Sequence, residues 1–281
     1  MNCATARSRS RTAISRGTEV NDTVLWKVDG RGVATVTLNR PTVNNAYNGD
    51  MIAGLHAAMD ALGREQDLRV VVVTGNGKHF QAGADLAWIN AVAKQSPQEN
   101  DEVSRLTAEA IRRLDTCPVP TLALVQGGCF GGGTGIVAAC DIVVASEDAI
   151  FSISETRWGL MAGIILPQLC RAMGVRQVRR YALTGERFGA AEARRIGFVH
   201  EVCLPASLRA TGDKIVDAIL MNAPAATTAT KLRTLAAADA FIDDGELRDL
   251  IQEHARTRQM AEATEGLASF KEKRKPGWYP G

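Results

Sequence analysis

No run of the chain approaches the ~20 consecutive apolar residues that a membrane-spanning helix needs, so no spanning segment is expected. An excess of charge of one sign is lacking as well. The formal net charge is +2, which gives no strong pull toward nucleic acid or a membrane surface. The histidines His56, His79, His200 and His254 are scattered and unpaired, so no metal site is expected. The cysteines Cys3, Cys117, Cys129, Cys140, Cys170 and Cys203 form no CxxC pair and mostly stand among apolar residues. They read as reduced core residues of an intracellular protein, not as a disulfide framework. The P-loop GxxxxGK[ST] and the nucleophile elbow GxSxG do not occur, and the glycine cluster GGCFGGG does not fit GxGxxG. Dinucleotide binding, P-loop chemistry and serine-elbow hydrolysis lose their sequence support.

What is present is an ordinary globular balance, 46% hydrophobic and 23% charged over 281 residues, enough for one large core and an appendage. Residues 1–20 stand apart: Arg7, Arg9, Arg11 and Arg16 lie among Ser, Thr and Ala with no acid before Glu19. They read as a disordered tail or an upstream start of a bacterial cytoplasmic protein. The alternative is a transit peptide, which would place the protein in the mitochondrial matrix.

Strands are expected at 24–28 and 33–38, joined by Asp29-Gly30-Arg31-Gly32 turn chemistry, and at 70–73, 121–125 and 142–145, where short β-branched or apolar runs suit burial on both faces. Helical spacing of Met51, Ile52, Leu55, Met59 and Leu62 predicts a helix capped by Asn48 or Asp50. Ser96 and Glu99 have capping-box spacing ahead of a helix over 97–114. After about residue 155 the chain reads mostly helical, with helices at 167–183, 190–196, 206–221, 224–238 and 244–270 and a short strand at 199–204. The expectation is a layered α/β core over 21–205 and a helical region over 206–281.

Two segments carry chemistry. His79-Phe80-Gln81-Ala82-Gly83-Ala84-Asp85-Leu86 follows one buried strand, and Gly131-Gly132-Gly133 follows the next at a helix start. Small residues let backbone approach a ligand closely, and two converging N–H groups would form an oxyanion hole. Tight packing around glycine explains either segment alone equally well. The two together, with two further segments, are more specific. Phe80-Gln81-Ala82-Gly83-Ala84-Asp85-Leu86 resembles the [FS]xAGAD[LI] loop of the crotonase (enoyl-CoA hydratase/isomerase) superfamily. Gly128 to Gly133 with Ala139-Cys140-Asp141-Ile142 is similar to its second signature. Asn39-Arg40-Pro41 with Asn45-Ala46 resembles its NRPxxxNA segment, and Glu265 to Pro276 its C-terminal EGxxAFxEKRxP segment.

The resemblance implies an α/β fold, a crotonase-type ββα spiral core with a helical C-terminal trimerisation region, assembled as a homotrimer or a hexamer made of two trimers. It implies an acyl-CoA thioester as substrate and partner, with no cofactor beyond the coenzyme A of that substrate. It assigns the oxyanion N–H groups to Ala82 and Gly132 and proton transfer to Glu155. Substrate-side positions are Val43, Ala84, Asp85, Leu86, Trp88, Gly131, Gly135, Phe270 and Lys273. Bland readings stand beside these. Asp85 fits a helix cap and Asp141 a helix–strand turn. Trp88 fits a core position as well as a pocket, and Phe270 and Lys273 fit a solvated basic tail. Family members often carry Lys one residue after Pro41; here Thr42 stands there, with Arg40 nearby to compensate.

One departure bears on the reaction. Hydratases of the best-known type carry a second glutamate three residues after the oxyanion glycine, and here that residue is Gly135. A single carboxylate suits a Δ3-Δ2-enoyl-CoA isomerase, which shuttles one proton. The segments 83–88 and 153–167 instead resemble bacterial hydratases acting on 3-methylglutaconyl-CoA or isohexenylglutaconyl-CoA. Hydration of a branched or glutaconyl-type enoyl-CoA is therefore expected first, isomerisation second, and a non-catalytic binding subunit last.

Overall fold

The computed structural model describes residues 22–238 and 260–280, together with residues 245, 250–252, 254 and 256. The tail of residues 1–20 and part of the helix expected over 244–270 lie outside the described residues.

A six-stranded sheet forms the centre, in the order β1 (Val24–Val28), β2 (Val33–Leu38), β3 (Val70–Gly75), β4 (Thr121–Val125), β6 (Ile142–Ser146), β9 (Glu201–Cys203). β1 and β2 pair antiparallel through the Asp29–Gly32 turn, and every later neighbour in this sheet pairs parallel. Parallel neighbours need crossovers, which put helices over the sheet and bury it. The Val70–Val73 run is accordingly 2% exposed or less at each residue. A smaller sheet holds β5 (Gly128–Phe130), β7 (Ile150–Ser152) and β8 (Phe188–Gly189). It packs on a cluster of Phe151, Phe188 and Phe198, whose ring centroids lie 5.3–6.2 Å apart. The architecture is the crotonase-type α/β core with a helical C-terminal region.

The helices obey local rules. α1 (Gly49–Leu62) is capped by Asn48, whose side chain accepts from Met51 N–H. α2 (Leu86–Val92) is capped by Asp85. α3 (Pro97–Asp115) opens with the full Ser96/Glu99 capping box and Pro at its start, as such a sequence favours. α4 (Gly132–Ala138) follows β5 directly. The single helix expected over 167–183 is two, α5 (Leu166–Met173) and α6 (Val175–Thr184), because Gly174 takes φ +79. That backbone state ends one helix and turns the chain into the next. α7 (Ala190–Arg195) leads to β9. α8 (Leu208–Leu220) then lays Val216, Ile219 and Leu220 on Leu122, Leu124 and Val144 of the sheet. α9 (Pro224–Ala237) and α10 (Ala261–Glu272) complete the described helices.

α9 is tied to the N-terminal ends of β4 and β6. Asp141 Oδ2 accepts from Thr121 N–H at 2.7 Å, Thr121 Oγ1 at 2.9 Å and Lys231 Nζ at 2.6 Å. Lys231 also donates to Val119 O at 3.0 Å. Asp141 is thus a clamp between strand and helix, not a reacting group.

Candidate active site

The site lies beyond the C-terminal ends of β3 and β4, where three extended segments run side by side. β5 pairs parallel with β7 in the register Phe130↔Ser152. Gly131 N–H continues the ladder to Ser152 O at 2.9 Å. On the other side Gln81 N–H reaches Gly128 O at 3.1 Å, and Phe130 N–H reaches Gln81 O at 2.9 Å. This register brings residues 81–84, 128–132 and 150–155 together from positions far apart in the chain.

Side chains lock the 79–84 loop. Asn45 is fully buried; its amide donates to the carbonyls of Asn76, His79 and Phe80 at 2.8–3.2 Å, and its oxygen accepts from Arg40 N–H. Gln81, also fully buried, accepts from Gly83 N–H at 2.9 Å and donates to Gly83 O at 3.2 Å. Gly83 has φ +89, a conformation natural only to glycine. Arg40 donates to Ala46 O and to the Asp85 carboxylate at 3.1 Å, so it holds this loop.

The structure corrects the assignment of Ala82. Asn44 and Asn45 both take φ +56, and the turn they make presents the Asn44 carbonyl to Ala82 N–H at 3.0 Å. A donor already spent cannot stabilise an oxyanion. The unspent N–H belongs to Ala84. Ala84 bridges Tyr47 in parallel fashion. Tyr47 N–H binds Gly83 O at 2.9 Å and Asp85 N–H binds Tyr47 O at 2.8 Å. In such a bridge the opposed residue turns its own N–H away from its partner, and Ala84 N–H finds no acceptor among the described residues. Gly132, at the first position of α4, likewise has no intrahelical acceptor for its N–H. Tyr47 spans the two: its backbone holds Ala84, and its Cε1 lies 2.7 Å from where a Cβ on Gly132 would stand.

Glu155 opens the 3-10 turn Glu155–Trp158 that follows β7. Its Oε1 lies 3.1 Å from where a Cβ on Gly131 would stand, so Gly131 is small because the carboxylate rests against it. Oε2 is buried and has no hydrogen-bond partner. Burial raises the Glu155 pKa above the usual carboxylate value, against the main-chain N–H groups of Glu155 and Ser154, which lower it.

Glu155 and Gly132 line a cavity of about 320 Å³ together with Tyr47 and Trp88, whose rings meet edge-to-face at 5.6 Å. The far wall comes from α3, through Val103, Thr107 and Ile111, and from Leu160, Met161 and Ile165. Trp88 is therefore a pocket residue. Sequence reasoning missed Tyr47, the α3 wall and the 160–165 wall. The position of Tyr47 directly after Asn45-Ala46 was the one available signal.

Other positions fall outside this lining. Gly135 is a second correction: a Cβ there would meet Ile165 Cγ2 at 2.3 Å, so Ile165 fills the space that Gly135 was expected to leave for an acyl branch. Ala82 faces a separate cavity of about 170 Å³ with Arg157 and Arg187. Val43 and Leu86 are exposed, as is Phe270 at 85%, and Lys273 ends α10 with φ +53. None of these four lines the cavity that holds Glu155. Among the described residues, no three His, Cys, Asp or Glu side chains come together as a metal site requires, and no helix is long and apolar enough to cross a membrane.

Comparison with known proteins agrees with the fold. The family described as Enoyl-CoA hydratase/isomerase matches residues 29–280. The chain is 34% identical to the short-chain-enoyl-CoA hydratase of Clostridium acetobutylicum over 76% of its own length and 80% of that protein's. It is 32% identical to the mitochondrial Delta(3,5)-Delta(2,4)-dienoyl-CoA isomerase of Dictyostelium discoideum over 94% of each. The crystal structure of an enoyl-CoA hydratase from Shewanella pealeana superposes with a TM-score of 0.86 at 36% identity, covering 91% of this chain and 96% of that one. The chain belongs to the enoyl-CoA hydratase/isomerase family, and it is an enzyme of that family's hydratase or isomerase type.

Proposed function

We propose that the enzyme adds water across the 2,3 double bond of an enoyl-CoA whose acyl chain is branched and uncharged. The observation that carries this reading is Glu155: a half-buried carboxylate with one buried, unpartnered oxygen, lining an apolar cavity beside Gly132. A buried polar atom without a partner marks a place where a ligand or water completes the bonding. Ala84 and Gly132 N–H take the thioester oxygen as it gains charge, and Glu155 exchanges protons with water and with C2. Its raised pKa brings the acid and base forms closer in energy at working pH, which suits a group that must serve as both. The coenzyme A arrives with the substrate, and this chemistry needs no other cofactor.

The sequence left open a branch or a distal carboxylate on the acyl chain. The lining speaks against the distal carboxylate: among the described residues no Lys, Arg or His contributes to the cavity, and its one charged group, Glu155, would repel a second carboxylate. Leu267 and Phe270, 72% and 85% exposed on α10, support burial of that helix in a homotrimer or hexamer, which light scattering tests.

Isomerisation of a 3-enoyl-CoA is the second reading, favoured by the single carboxylate. Incubation of branched 2-enoyl-CoA, 3-enoyl-CoA and glutaconyl-CoA esters in ¹⁸O-water separates the readings by product mass. Label gained on the branched 2-enoyl ester is the expected result; a rearranged, unlabelled product defeats it. Ala84→Pro removes one proposed donor and should lower turnover roughly 10²–10³-fold. Unchanged turnover in the folded variant would remove Ala84 from the oxyanion hole.

A further inference from the structure

If the enzyme hydrates, something must hold the attacking water where the missing carboxylate would. Ile165 occupies the space at Gly135, so no group reaches in from there. The other polar side chains of the cavity are largely committed. Ser104 and Thr107 donate to the helix carbonyls of Asn100 and Val103. The amide of Asn100 donates to Val92, Gln95 and Ser96 carbonyls, and both ends of the Gln81 amide are bonded to Gly83. Trp88 offers only a donor. The Tyr47 hydroxyl has no hydrogen-bond partner among the described residues, and its residue lines the cavity with Glu155. The ring is placed by two contacts. Its edge lies over Gly132, where Cζ, the carbon bearing the hydroxyl, is 3.5 Å from a Cβ position, and Trp88 meets it at 5.6 Å. Glu155 rests on the adjacent Gly131, so phenol and carboxylate stand over neighbouring glycines of one segment.

We infer that Tyr47 is a catalytic residue that positions the attacking water, its phenolic oxygen accepting one water hydrogen while the Glu155 carboxylate accepts the other. This rests on the hydration reading above. The water's lone pair is left for C3. The O–C3 bond forms, the C2=C3 π pair moves into the thioester to give the enolate, and one water proton passes to Glu155. Glu155 then delivers a proton to C2, the enolate collapses, and Tyr47 keeps its own proton throughout. Burial first, then the charge of Glu155, push the Tyr47 phenol up to about 12, so it stays neutral and does not compete as a base.

Tyr47→Phe deletes the oxygen and keeps the ring against Gly132 and Trp88. Two rates are compared: hydration of the enoyl-CoA, and exchange of the C2 hydrogen of the saturated acyl-CoA in D2O, which needs Glu155 and the enolate but no attacking water. Loss of one hydrogen bond of this kind corresponds to about a 10–100-fold fall. The expected result is that fall in the kcat of hydration, with KM and the exchange rate changed less than about threefold. Parallel loss of both rates, or loss of neither, overturns the inference. Wild-type enzyme that exchanges C2 hydrogen yet incorporates no ¹⁸O defeats the hydration reading itself, and the role of Tyr47 with it; wild type that hydrates no faster than the variant removes Tyr47 alone. Should Tyr47→Phe fail to fold, 4-fluorophenylalanine at position 47 fills the volume of the hydroxyl without a comparable acceptor. The same selective fall in hydration, with exchange kept, is then expected, and parallel loss of both rates or loss of neither overturns the inference.

Discussion

Two carboxylates at opposite ends of the parallel strands are treated in opposite ways. Asp141, at the N-terminal ends of β4 and β6, accepts three hydrogen bonds at one oxygen, one of them from a Lys231 side chain that is only 6% exposed. Glu155, beyond the C-terminal ends, keeps an oxygen that nothing among the described residues satisfies. Partnering a buried charge stabilises the fold, and leaving one without a partner costs stability. Only the second arrangement leaves bonding capacity for a substrate. Glycine shows the same contrast. Gly131 and Gly132 give way to two cavity-lining side chains, Glu155 and Tyr47, whereas Gly135 gives way to a core isoleucine.

The sharpest test of this contrast is Glu155→Gln, which keeps size and removes the base. Turnover should fall roughly 10²–10⁴-fold while CoA-ester binding, measured by calorimetry, persists. Turnover near the wild-type value would make Glu155 a mere core acid. A smaller effect of the opposite kind is expected at the other end. Lys231→Met keeps the stem volume and leaves Asp141 without its cation. Breaking such a pair costs about 3 kcal/mol, which at roughly 2–4 °C per kcal/mol is a fall in Tm of about 6–12 °C. Turnover per folded molecule should stay within about twofold. A turnover loss matching that of Glu155→Gln would erase the distinction between the two ends.

Much of this was legible in the sequence where the signal is local. The Val70–Val73 run, the Ser96/Glu99 capping box and the Asn48 and Asp85 caps each declare themselves within a few residues. β5, β7 and β8 did not, because strands of two or three residues carry too little alternation to be read. The placement of Ala84 depended on strand parity. Which N–H of the 82–84 stretch stays free is set by the long-range Tyr47↔Ala84 bridge and the Asn44 carbonyl, and a shift in register alters which way each N–H points. The filling of Gly135 was hidden for a similar reason, since Ile165 lies 30 residues further on. Tyr47 went unread, because its part in the site comes from the loops it joins, residues 83–85 and Gly132, which lie far from it in the chain.

The least expected consequence concerns stability, and it separates the two carboxylates most finely. Burial raises the folded-state pKa of Glu155 above its unfolded value. Between those two values the native state binds more protons than the unfolded chain, so stability falls as pH rises through that window. The contribution of Glu155 is therefore fully present below the unfolded value, about 4.3, and is lost as pH rises through the raised folded value. At neutral pH the ionised carboxylate weakens the fold. Glu155→Gln should then raise Tm at neutral pH by a few degrees, at about 2–4 °C per kcal/mol relieved, and the gap to wild type should close as pH falls toward 4. Calorimetric scans of both proteins across that range measure it. A variant less stable than wild type at neutral pH would show Glu155 serving the fold as Asp141 does. A variant more stable and inactive would show that the site is kept for its chemistry at the expense of the fold, as expected where a buried charge is held ready for substrate.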